Sequence, residues 1–191
     1  MTGDLVSLSA RAVRDLLKDR QVTPLELLEA LETRIAEVNG PVNALPTLCF
    51  ERARARALEQ DFSTLPLAGI PIVIKDLLTV SGVRTTFGSM AYRDHVPKAS
   101  DLLVERIEAA GGIVYAKSNT PEFGAGANTF NDVFGFTRNP WNTALSAAGS
   151  SGGSAVALAT GMAWIATGSD LGGSLRNPAS FCSIVGFRPS Q

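Results

Sequence analysis

The sequence has one histidine, two cysteines and no long run of apolar residues among its 191 residues. Cys49 and Cys182 both stand in apolar surroundings, and so small a number indicates buried reduced thiols rather than a disulfide scaffold. No stretch approaches the roughly 20 apolar residues that a membrane helix needs. The first residues carry Asp4 and no apolar run, so they do not fit a signal peptide. We therefore expect a cytoplasmic protein with no membrane partner.

A dominant charge of one sign is also missing, because 17 basic residues are nearly balanced by 18 acidic residues. This balance gives no strongly basic surface for direct binding to nucleic acid or to anionic membranes. Hydrophobic residues make up 45% of the chain, which is enough to bury a core at this length. We therefore expect one globular domain without a direct nucleic-acid partner.

Strand and helix patterns alternate along the chain, which places it in the α/β class. The clearest helix begins at the capping box Thr23-Pro24-Leu25-Glu26 and is expected to end at Asn39-Gly40. Its apolar face packs on the domain body or on another subunit, so a homodimer through the N-terminal helices stays open. The other predicted helices lie around 13–17, over 51–60, after a Ser100 cap and over 154–160, and a helix or turn starts just past Ser174, where Asn177-Pro178 resembles an N-cap and first-turn pair. The predicted strands lie over 70–74, 113–116, 163–167 and just before Gln191.

The chain is expected to divide near residue 62. Residues 1–62 form an N-terminal helical segment, and residues 63–191 form the N-terminal part of an α/β core with Gly/Ser-rich loops. Residues 119–142 have no steady period and are predicted as loops. Their aromatic residues are expected to pack these loops down rather than to form a ligand-binding box: Phe123, Phe130, Phe134, Phe136 and Trp141.

Two clusters rich in glycine and serine, at residues 149–154 and 168–174, hold the candidate catalytic residues. Dense glycine indicates positive φ angles or a backbone close to a ligand, and serines placed among such glycines can supply a nucleophile. Gly149-x-Ser151-x-Gly153 has the form of a nucleophile elbow, which needs a histidine later in the chain. The single histidine is His95, upstream of the clusters, so a lysine is the expected base.

Four lysines are available as that base, and their surroundings separate them. Lys18 and Lys98 stand in polar stretches, whereas Lys75 and Lys117 follow apolar strands, where burial lowers the pKa of an amine. Lys75 is favoured because the longer apolar run precedes it and because sites collect at the carboxyl ends of strands. The alternative is that Lys75 only pairs with Asp76 or caps a strand. Neither cluster ends in the Gly-Lys-Ser/Thr of a Walker pattern, and residues 124–129 lack the third glycine of a dinucleotide fingerprint. We expect no cofactor and no metal.

These residues also carry a resemblance to a known family, the amidase signature family of amide hydrolases. The resemblance covers essentially the whole chain and implies that family's fold, a mixed, largely open central sheet flanked by helices. It also implies a Ser–cis-Ser–Lys triad, in which Ser174 is the nucleophile, Ser150 lies in a cis peptide and Lys75 is the base. The motifs that carry it are Gly69-Ile70-Pro71, Lys75-Asp76, Thr120-Pro121-Glu122-Phe123, Thr137-Arg138-Asn139-Pro140-Trp141 and the two Gly/Ser clusters, the second continuing to Arg176.

The resemblance further implies a reaction on a small-molecule amide. Ser174 attacks the amide carbonyl, Ser150 relays its proton to neutral Lys75, and an acyl-enzyme forms that water hydrolyses. The expected oxyanion hole consists of the backbone N–H groups of Leu171, Gly172, Gly173 and Ser174. The expected supporting residues are Ser151, Asp170 and Arg176. Asp170 and Arg176 either form an ion pair that fixes the loop, or Arg176 binds a substrate carboxylate.

Two departures from the family pattern bear on function. Ala148 stands where the family usually has glycine, a change we expect the turn to tolerate. The family's chains continue far beyond Gln191, so we expect a truncated N-terminal part of the fold. Three functions follow: an amidase that hydrolyses a carboxamide, the A subunit of a glutamyl-tRNA(Gln) amidotransferase that hydrolyses glutamine, and an inactive amidase-like module. Thr120-Pro121-Glu122-Phe123 resembles the stand-alone enzymes of the family more than the amidotransferase subunit, which has Met-Asp-Glu-Phe, so the resemblance favours the first function over the second.

Overall fold

The architecture is that of a computed structural model, which describes residues 5–190. Asp4, which argues against a signal peptide, and the terminal Gln191 lie outside the described residues. None of the helices within residues 5–190 is both long and apolar enough to cross a membrane. In chain order the elements are α1 (Ala10–Lys18), α2 (Pro24–Val42), β1 (Thr47–Leu48), α3 (Phe50–Ala57), β2 (Pro71–Lys75), α4 (Leu102–Ala109), β3 (Ile113–Ser118), β4 (Phe130–Asn131), β5 (Gly135–Phe136), α5 (Gly152–Ala159), β6 (Ile165–Ala166) and α6 (Arg176–Cys182).

The central sheet has the strand order β1-β3-β2-β6. β2 runs parallel to β3 and to β6, while β1 runs antiparallel to β3. The predicted α/β fold with a mixed sheet flanked by helices is therefore confirmed. In the register of β2 and β3, Ile74 pairs with Lys117 and Lys75 pairs with Ser118. Both lysines thus lie at the carboxyl ends of neighbouring strands, on the same edge of the sheet. The expected division of the chain near residue 62 stays a prediction.

The core lies between this sheet and the helices that cover it. α2 begins at the predicted capping box, where Thr23 Oγ1 accepts the Glu26 N–H at 3.2 Å and the Glu26 carboxylate accepts the Thr23 N–H at 2.8 Å. Leu27, Leu28 and Leu31 of α2 are buried in the core, and burial of each contributes about 1.5–3 kcal/mol. The apolar face of α2 therefore packs on the domain body, and a homodimer stays a prediction.

The predicted end of α2 at Asn39-Gly40 is wrong. The helix continues through Gly40 and Pro41 to Val42. Pro41 lacks one intrahelical donor, but it lies in the last turn, where few further hydrogen bonds depend on it. The helix ends because Asn43 adopts the left-handed conformation, with φ 50°, and donates its N–H to Asn39 O at 2.7 Å.

The predicted cap of α4 is wrong by one residue. Asp101, and not Ser100, stands at the N-cap position. The Ser100 hydroxyl instead accepts the Ser81 N–H at 2.9 Å, while the Asp101 carboxylate accepts the Thr79 N–H. Both contacts join the start of α4 to the loop that follows β2. Contacts with a distant loop, rather than local helix signals, therefore fix this boundary.

α6 begins at Arg176, which confirms the start predicted just past Ser174. Asn177-Pro178 lies inside the first turn and is not the cap. The Arg176 N–H donates to the Asp170 carboxylate at 3.2 Å at this start. The last predicted strand is wrong. Residues 183–190 do not form the strand that is predicted just before Gln191, and Val185 is exposed there.

The aromatic residues of the 119–142 segment pack down less than the sequence predicts. Phe123, Phe130, Phe136 and Trp141 are all exposed. Phe130 and Phe136 stack on each other across β4 and β5, with their ring centroids 5.1 Å apart. Because β4 and β5 form a separate two-stranded sheet, these two rings cover each other instead of the core.

Candidate active site

Lys75 lies at the centre of the candidate site, as the last residue of β2, and is only 1% exposed. Its Nζ donates to three hydroxyls, those of Ser150 at 2.7 Å, Ser169 at 2.8 Å and Ser151 at 2.9 Å. Its backbone N–H donates to the Thr167 hydroxyl at 2.8 Å, which joins β2 to the segment after β6. An ammonium group has three donors, so the three serines satisfy all of them.

The surroundings of Lys75 favour the neutral form of its amine. Burial lowers the pKa of the Lys75 amine from 10.5 to about 7, and the Asp170 carboxylate opposes the shift. Burial has this effect because a low-dielectric interior disfavours the charged form of an amine. At neutral pH the amine therefore exchanges readily between its charged and neutral forms, as a proton acceptor requires.

Loss of a proton from Lys75 reverses the direction of one of these three hydrogen bonds. A neutral amine keeps two N–H donors and gains a lone pair, so one of the three hydroxyls then donates to Nζ. The Ser151 hydroxyl is already bound on both sides, since it donates to Ser169 O at 3.3 Å and accepts the Ser169 N–H at 3.2 Å. Ser150 and Ser169 are therefore better placed to exchange a proton with Lys75.

Ser150 lies in a tight turn before α5. The peptide bond between Gly149 and Ser150 is cis, and Ala148 has a positive φ of 59°. A Cβ on Gly149 would lie 2.9 Å from the backbone N of Asn128, so any side chain there would displace the turn. Ala148, which stands where the family usually has glycine, is accommodated in a buried position with 4% of its surface exposed.

Ser174 lies next to this turn, in the loop between β6 and α6. Its carbonyl accepts the Ser151 N–H at 2.9 Å, and the residue is half-buried. Within residues 5–190, no hydrogen bond joins the Ser174 hydroxyl to Ser150 or to Lys75. The structure therefore brings Lys75 and Ser150 into direct contact, and it joins Ser174 through its backbone to Ser151, the residue after Ser150.

Asp170 holds the loop that carries Ser174. Its side chain is 1% exposed and pairs with Arg176, from Oδ2 to Nε at 2.8 Å and from Oδ1 to Nη2 at 3.0 Å. It also accepts the N–H groups of Gly173 at 2.7 Å, Leu175 at 3.4 Å and Arg176 at 3.2 Å. These hydrogen bonds, that from the Arg176 side chain first, hold the pKa of Asp170 well below its usual range. Of the two expected arrangements, the structure contains the ion pair that fixes the loop.

This contact changes the expected oxyanion hole. The Gly173 N–H donates to Asp170 Oδ1, so it does not face a substrate oxygen in this arrangement. Across the described part of the chain, no hydrogen bond engages the N–H of Leu171, Gly172 or Ser174. These three groups remain the predicted donors to an oxyanion.

The second buried lysine, Lys117, belongs to a separate cluster. Its Nζ donates to Asp76 Oδ1 at 2.7 Å and to the Thr85 hydroxyl at 2.8 Å. Asp76 Oδ2 accepts the Thr86 hydroxyl at 2.6 Å and the Thr86 N–H at 3.0 Å. Burial lowers the pKa of Lys117, and the Asp76 carboxylate opposes the shift. Asp76 is thus the partner of Lys117, and the alternative in which it pairs with Lys75 is wrong.

Sequence reasoning missed two hydroxyl residues that contact Lys75. Ser169 contacts its amine, and Thr167 fixes its backbone. Ser169 stands inside the second Gly/Ser cluster, so its position is a usable signal. Thr167 carries no such signal, because it is separated from Lys75 by 92 positions in the chain.

The sequence analysis placed two lysines, the histidine and both cysteines outside the site. Lys18, Lys98 and His95 are all exposed. Cys49 and Cys182 are free thiols, half-buried and buried respectively. Burial raises the pKa of both thiols to about 11, which leaves little of the reactive thiolate at neutral pH.

Comparison with known proteins shows the family to which the chain belongs. The family model for amidases matches residues 26–191, which is most of the chain. The chain therefore belongs to the amidase signature family, and the resemblance found in its motifs is confirmed.

Individual relatives include both a curated protein and solved structures. The chain is 40% identical over 192 residues to the A subunit of glutamyl-tRNA(Gln) amidotransferase from Dehalococcoides mccartyi (strain CBDB1), covering 98% of this chain and 40% of that protein. It is similar to a chain from a vestigial protein complex linked to the origins of an s-triazine catabolic enzyme, with a TM-score of 0.86 and 35% identity over 92% of this chain and 40% of that chain. It is also similar to 6-aminohexanoate cyclic dimer hydrolase complexed with substrate, with a TM-score of 0.85 and 33% identity over 93% and 37% of the two chains. The chain thus spans about 40% of the length of the curated relative.

Proposed function

We propose that the chain carries the site of an amide hydrolase, in which Ser174 is the nucleophile, Ser150 the relay and Lys75 the base. The observation that carries this proposal is the buried Lys75 amine, which has a pKa of about 7 and lies 2.7 Å from the Ser150 hydroxyl. Serine acylation needs a base that is poised near neutral pH and in contact with a hydroxyl. Membership of the amidase family supports the same class of reaction.

The proposed acylation step starts from neutral Lys75. Ser150 donates its proton to Lys75 Nζ and accepts the proton of the Ser174 hydroxyl, while Ser174 Oγ bonds to the carbonyl carbon of a carboxamide. The electron pair of the carbonyl bond moves to its oxygen, which the N–H groups of Leu171, Gly172 and Ser174 stabilise. Each such donor lowers the barrier by on the order of 3 kcal/mol.

The second step breaks the carbon–nitrogen bond. The leaving nitrogen takes a proton from Ser150, which the Lys75 ammonium replaces, and departs as ammonia or an amine. The acyl group stays on Ser174 as an ester. Water then attacks the ester and loses a proton to Lys75 by the same route. Ser174 recovers a proton from the Lys75 ammonium through Ser150 as the ester bond breaks, and the product leaves as a carboxylic acid that loses its proton to water.

This route needs a hydrogen bond between the hydroxyls of Ser150 and Ser174. Catalytic hydrogen bonds that are open without substrate commonly tighten when substrate binds. The backbones on both sides are already joined, because the Ser151 N–H donates to Ser174 O at 2.9 Å. We expect the side-chain torsions of the two serines to close the remaining contact.

A second candidate function is glutamine hydrolysis by the A subunit of a glutamyl-tRNA(Gln) amidotransferase. The observation that favours it is the 40% identity to that protein from Dehalococcoides mccartyi. The same residues would then release ammonia from glutamine, and partner subunits would be required. Thr120-Pro121-Glu122-Phe123 favours the stand-alone amidase, which we keep as the first proposal.

A fluorophosphonate probe tests the nucleophile. We expect the wild-type chain to be labelled and Ser174→Ala to stay unlabelled. Ser180→Ala is a matched control, because Ser180 is an exposed serine on α6, and we expect it to be labelled like the wild type. An unlabelled wild type, or equal labelling of Ser174→Ala, would favour the third function, an inactive amidase-like module.

Ammonia release separates the two active functions. We expect the wild-type chain to release ammonia from at least one member of a panel of small carboxamides, and Ser174→Ala to release none. Release from glutamine alone would instead favour the amidotransferase function. The panel therefore distinguishes the two substrates with one assay and one inactive variant.

A further inference from the structure

Thr129, a residue outside both Gly/Ser clusters, is bound to both sides of the Ser150 turn. Its hydroxyl donates to Ala148 O at 2.9 Å and accepts the Gly152 N–H at 3.1 Å. Thr129 is 2% exposed, so bulk water does not compete strongly for either hydrogen bond. A single hydroxyl thus connects the residue two places before Ser150 with the residue two places after it.

The contact between Thr129 and Gly152 lies at the start of α5. The Gly152 N–H is one of the first N–H groups of this helix, which have no partner inside it. Ser151 stands at the N-cap position but makes no capping hydrogen bond, and its hydroxyl contacts Lys75 and Ser169. The Thr129 hydroxyl therefore supplies the partner of the Gly152 N–H from outside the helix.

Close packing reinforces the hydrogen bonds between the turn and the Thr129 segment. A Cβ on Gly152 would lie 2.3 Å from Thr129 Oγ1. The Ser146 hydroxyl donates to Asn128 Oδ1 at 2.6 Å and accepts the Ala148 N–H at 2.9 Å. The turn is thus joined at two neighbouring residues, and a change at Thr129 is transmitted to the serine between its two contacts.

We propose that Thr129 is a positioning residue, whose hydroxyl holds Ser150 where it exchanges a proton with Lys75. This inference rests on the proposed relay role of Ser150. The contact that it controls is the 2.7 Å hydrogen bond between Lys75 Nζ and Ser150 Oγ. Without the Thr129 hydroxyl, Ala148 O and the Gly152 N–H lose their buried partner, so the turn has to move or admit water.

The test compares two changes at Thr129. Thr129→Val removes the hydroxyl at nearly constant volume, whereas Thr129→Ser keeps it. An error of about 1 Å in catalytic geometry costs on the order of 100-fold in rate. We therefore expect the rate of fluorophosphonate labelling to fall by about 100-fold in Thr129→Val and to stay close to wild type in Thr129→Ser.

Thr137→Val is the matched control. Thr137 is also buried, at 4% exposure, and its N–H donates to Thr129 O at 2.9 Å. Its hydroxyl donates to Asn43 O and accepts from Asn119, away from the Ser150 turn. We expect Thr137→Val to lower stability while the labelling rate stays close to wild type.

A second measurement does not depend on activity. The chain has four lysines, so a ¹³C NMR titration of their terminal methylene groups gives four curves, and Lys75→Arg assigns the curve of Lys75. In Thr129→Val the Ser150 hydroxyl no longer accepts from the ammonium, so we expect the pKa of Lys75 to fall by about one unit. Thr129→Ser and Thr137→Val are expected to keep the wild-type curve.

The outcomes separate this inference from the proposed function. Wild-type labelling and titration in Thr129→Val would overturn the positioning role, and so would the same changes in Thr137→Val. If the proposed function is wrong, the wild type is not labelled at Ser174, while the titration still reports the contact between Lys75 and Ser150. If Thr129→Val does not fold, Thr129→Cys keeps a weak donor and is expected to shift the titration in the same direction by less.

Discussion

Lys75 and Lys117 lie side by side at the carboxyl ends of β2 and β3, but different groups surround them. Both are buried, with 1% and 0% of their surfaces exposed. Lys75 donates to three serine hydroxyls, whereas Lys117 donates to the Asp76 carboxylate and to a threonine. Burial lowers the pKa of both amines, but a carboxylate in direct contact favours the charged form of Lys117.

The difference shows that burial alone does not make a lysine a base. Lys75 is surrounded by neutral hydroxyls that can both donate and accept, so it can lose its proton without leaving a buried carboxylate unpaired. Lys117 cannot lose its proton without leaving the Asp76 carboxylate buried and unpaired. We therefore expect chemistry at Lys75 and stabilisation at Lys117.

The largest expected effect is that of Lys75→Ala. Removal of the base should lower the rate of fluorophosphonate labelling by on the order of 1,000-fold. The Tm should stay the same or rise, because the variant no longer buries an amine and leaves hydroxyls that can bond to one another. Labelling kinetics and thermal unfolding measure the two effects. The control is Lys98→Ala, at an exposed lysine; equal rates in the two variants would rule out Lys75 as the base.

Lys117→Ala should have the reverse profile. It leaves the Asp76 carboxylate buried without its partner, so we expect the free energy of unfolding to fall by about 3 kcal/mol or more. The folded fraction should keep a measurable labelling rate, because Lys75 and its serines are unchanged. Urea unfolding measures the loss of stability.

A double variant sharpens the result for Lys117. In Asp76→Asn/Lys117→Met no charge is left unpaired, so we expect part of the lost stability to return. If instead Lys117→Ala kept full stability and lost labelling as severely as Lys75→Ala, the roles of the two lysines would be exchanged.

The next largest effect is a rise of about tenfold in the labelling rate between pH 6 and pH 8. Only neutral Lys75 accepts a proton, and its pKa is about 7. The neutral fraction of such an amine rises from about one tenth at pH 6 to about nine tenths at pH 8. The labelling rate should therefore rise over this interval in the wild type and in Lys117→Ala. A flat profile in the wild type, or one that becomes flat only in Lys117→Ala, would contradict the assignment of the base.

The smallest expected effect is that of Arg176→Ala. Its ion pair with Asp170 contrasts with that of Lys117, because the Arg176 side chain is 57% exposed while that of Asp170 is 1% exposed. Asp170 also keeps the N–H groups of Gly173 and Leu175 as partners. We expect a clearly smaller fall in Tm than in Lys117→Ala, measured by thermal unfolding. An equal fall would show that exposure does not set the difference between the two pairs.

Sequence reasoning succeeded where the determinants lie close together in the chain. The capping box at Thr23 and Glu26 joins residues three positions apart, and it was predicted at the right place. The buried strand that leads into Lys75 is a continuous apolar run, which needs no knowledge of its neighbours. The two Gly/Ser clusters likewise mark their own loops, and those loops supply all three hydroxyls around Lys75.

Features set by distant residues could not be predicted in this way. Asp76 follows Lys75 directly, but its ion pair is with Lys117, 41 positions away. Thr129 bonds Ala148 and Gly152 across 19 and 23 positions. In each case several nearby partners satisfy the local pattern equally well, and tertiary packing selects among them.

The three serine hydroxyls around Lys75 take the place that water molecules have around an exposed amine. Water around an amine has to reorient whenever the charge on the nitrogen changes, whereas hydroxyls held in the turn before α5 and in the loop after β6 need only rotate an O–H bond. Charge can therefore appear and disappear at Nζ with little displacement of heavier atoms. The basicity of the amine then depends on how many O–H dipoles face it, so a fold without a counter-ion at this point still controls its protonation.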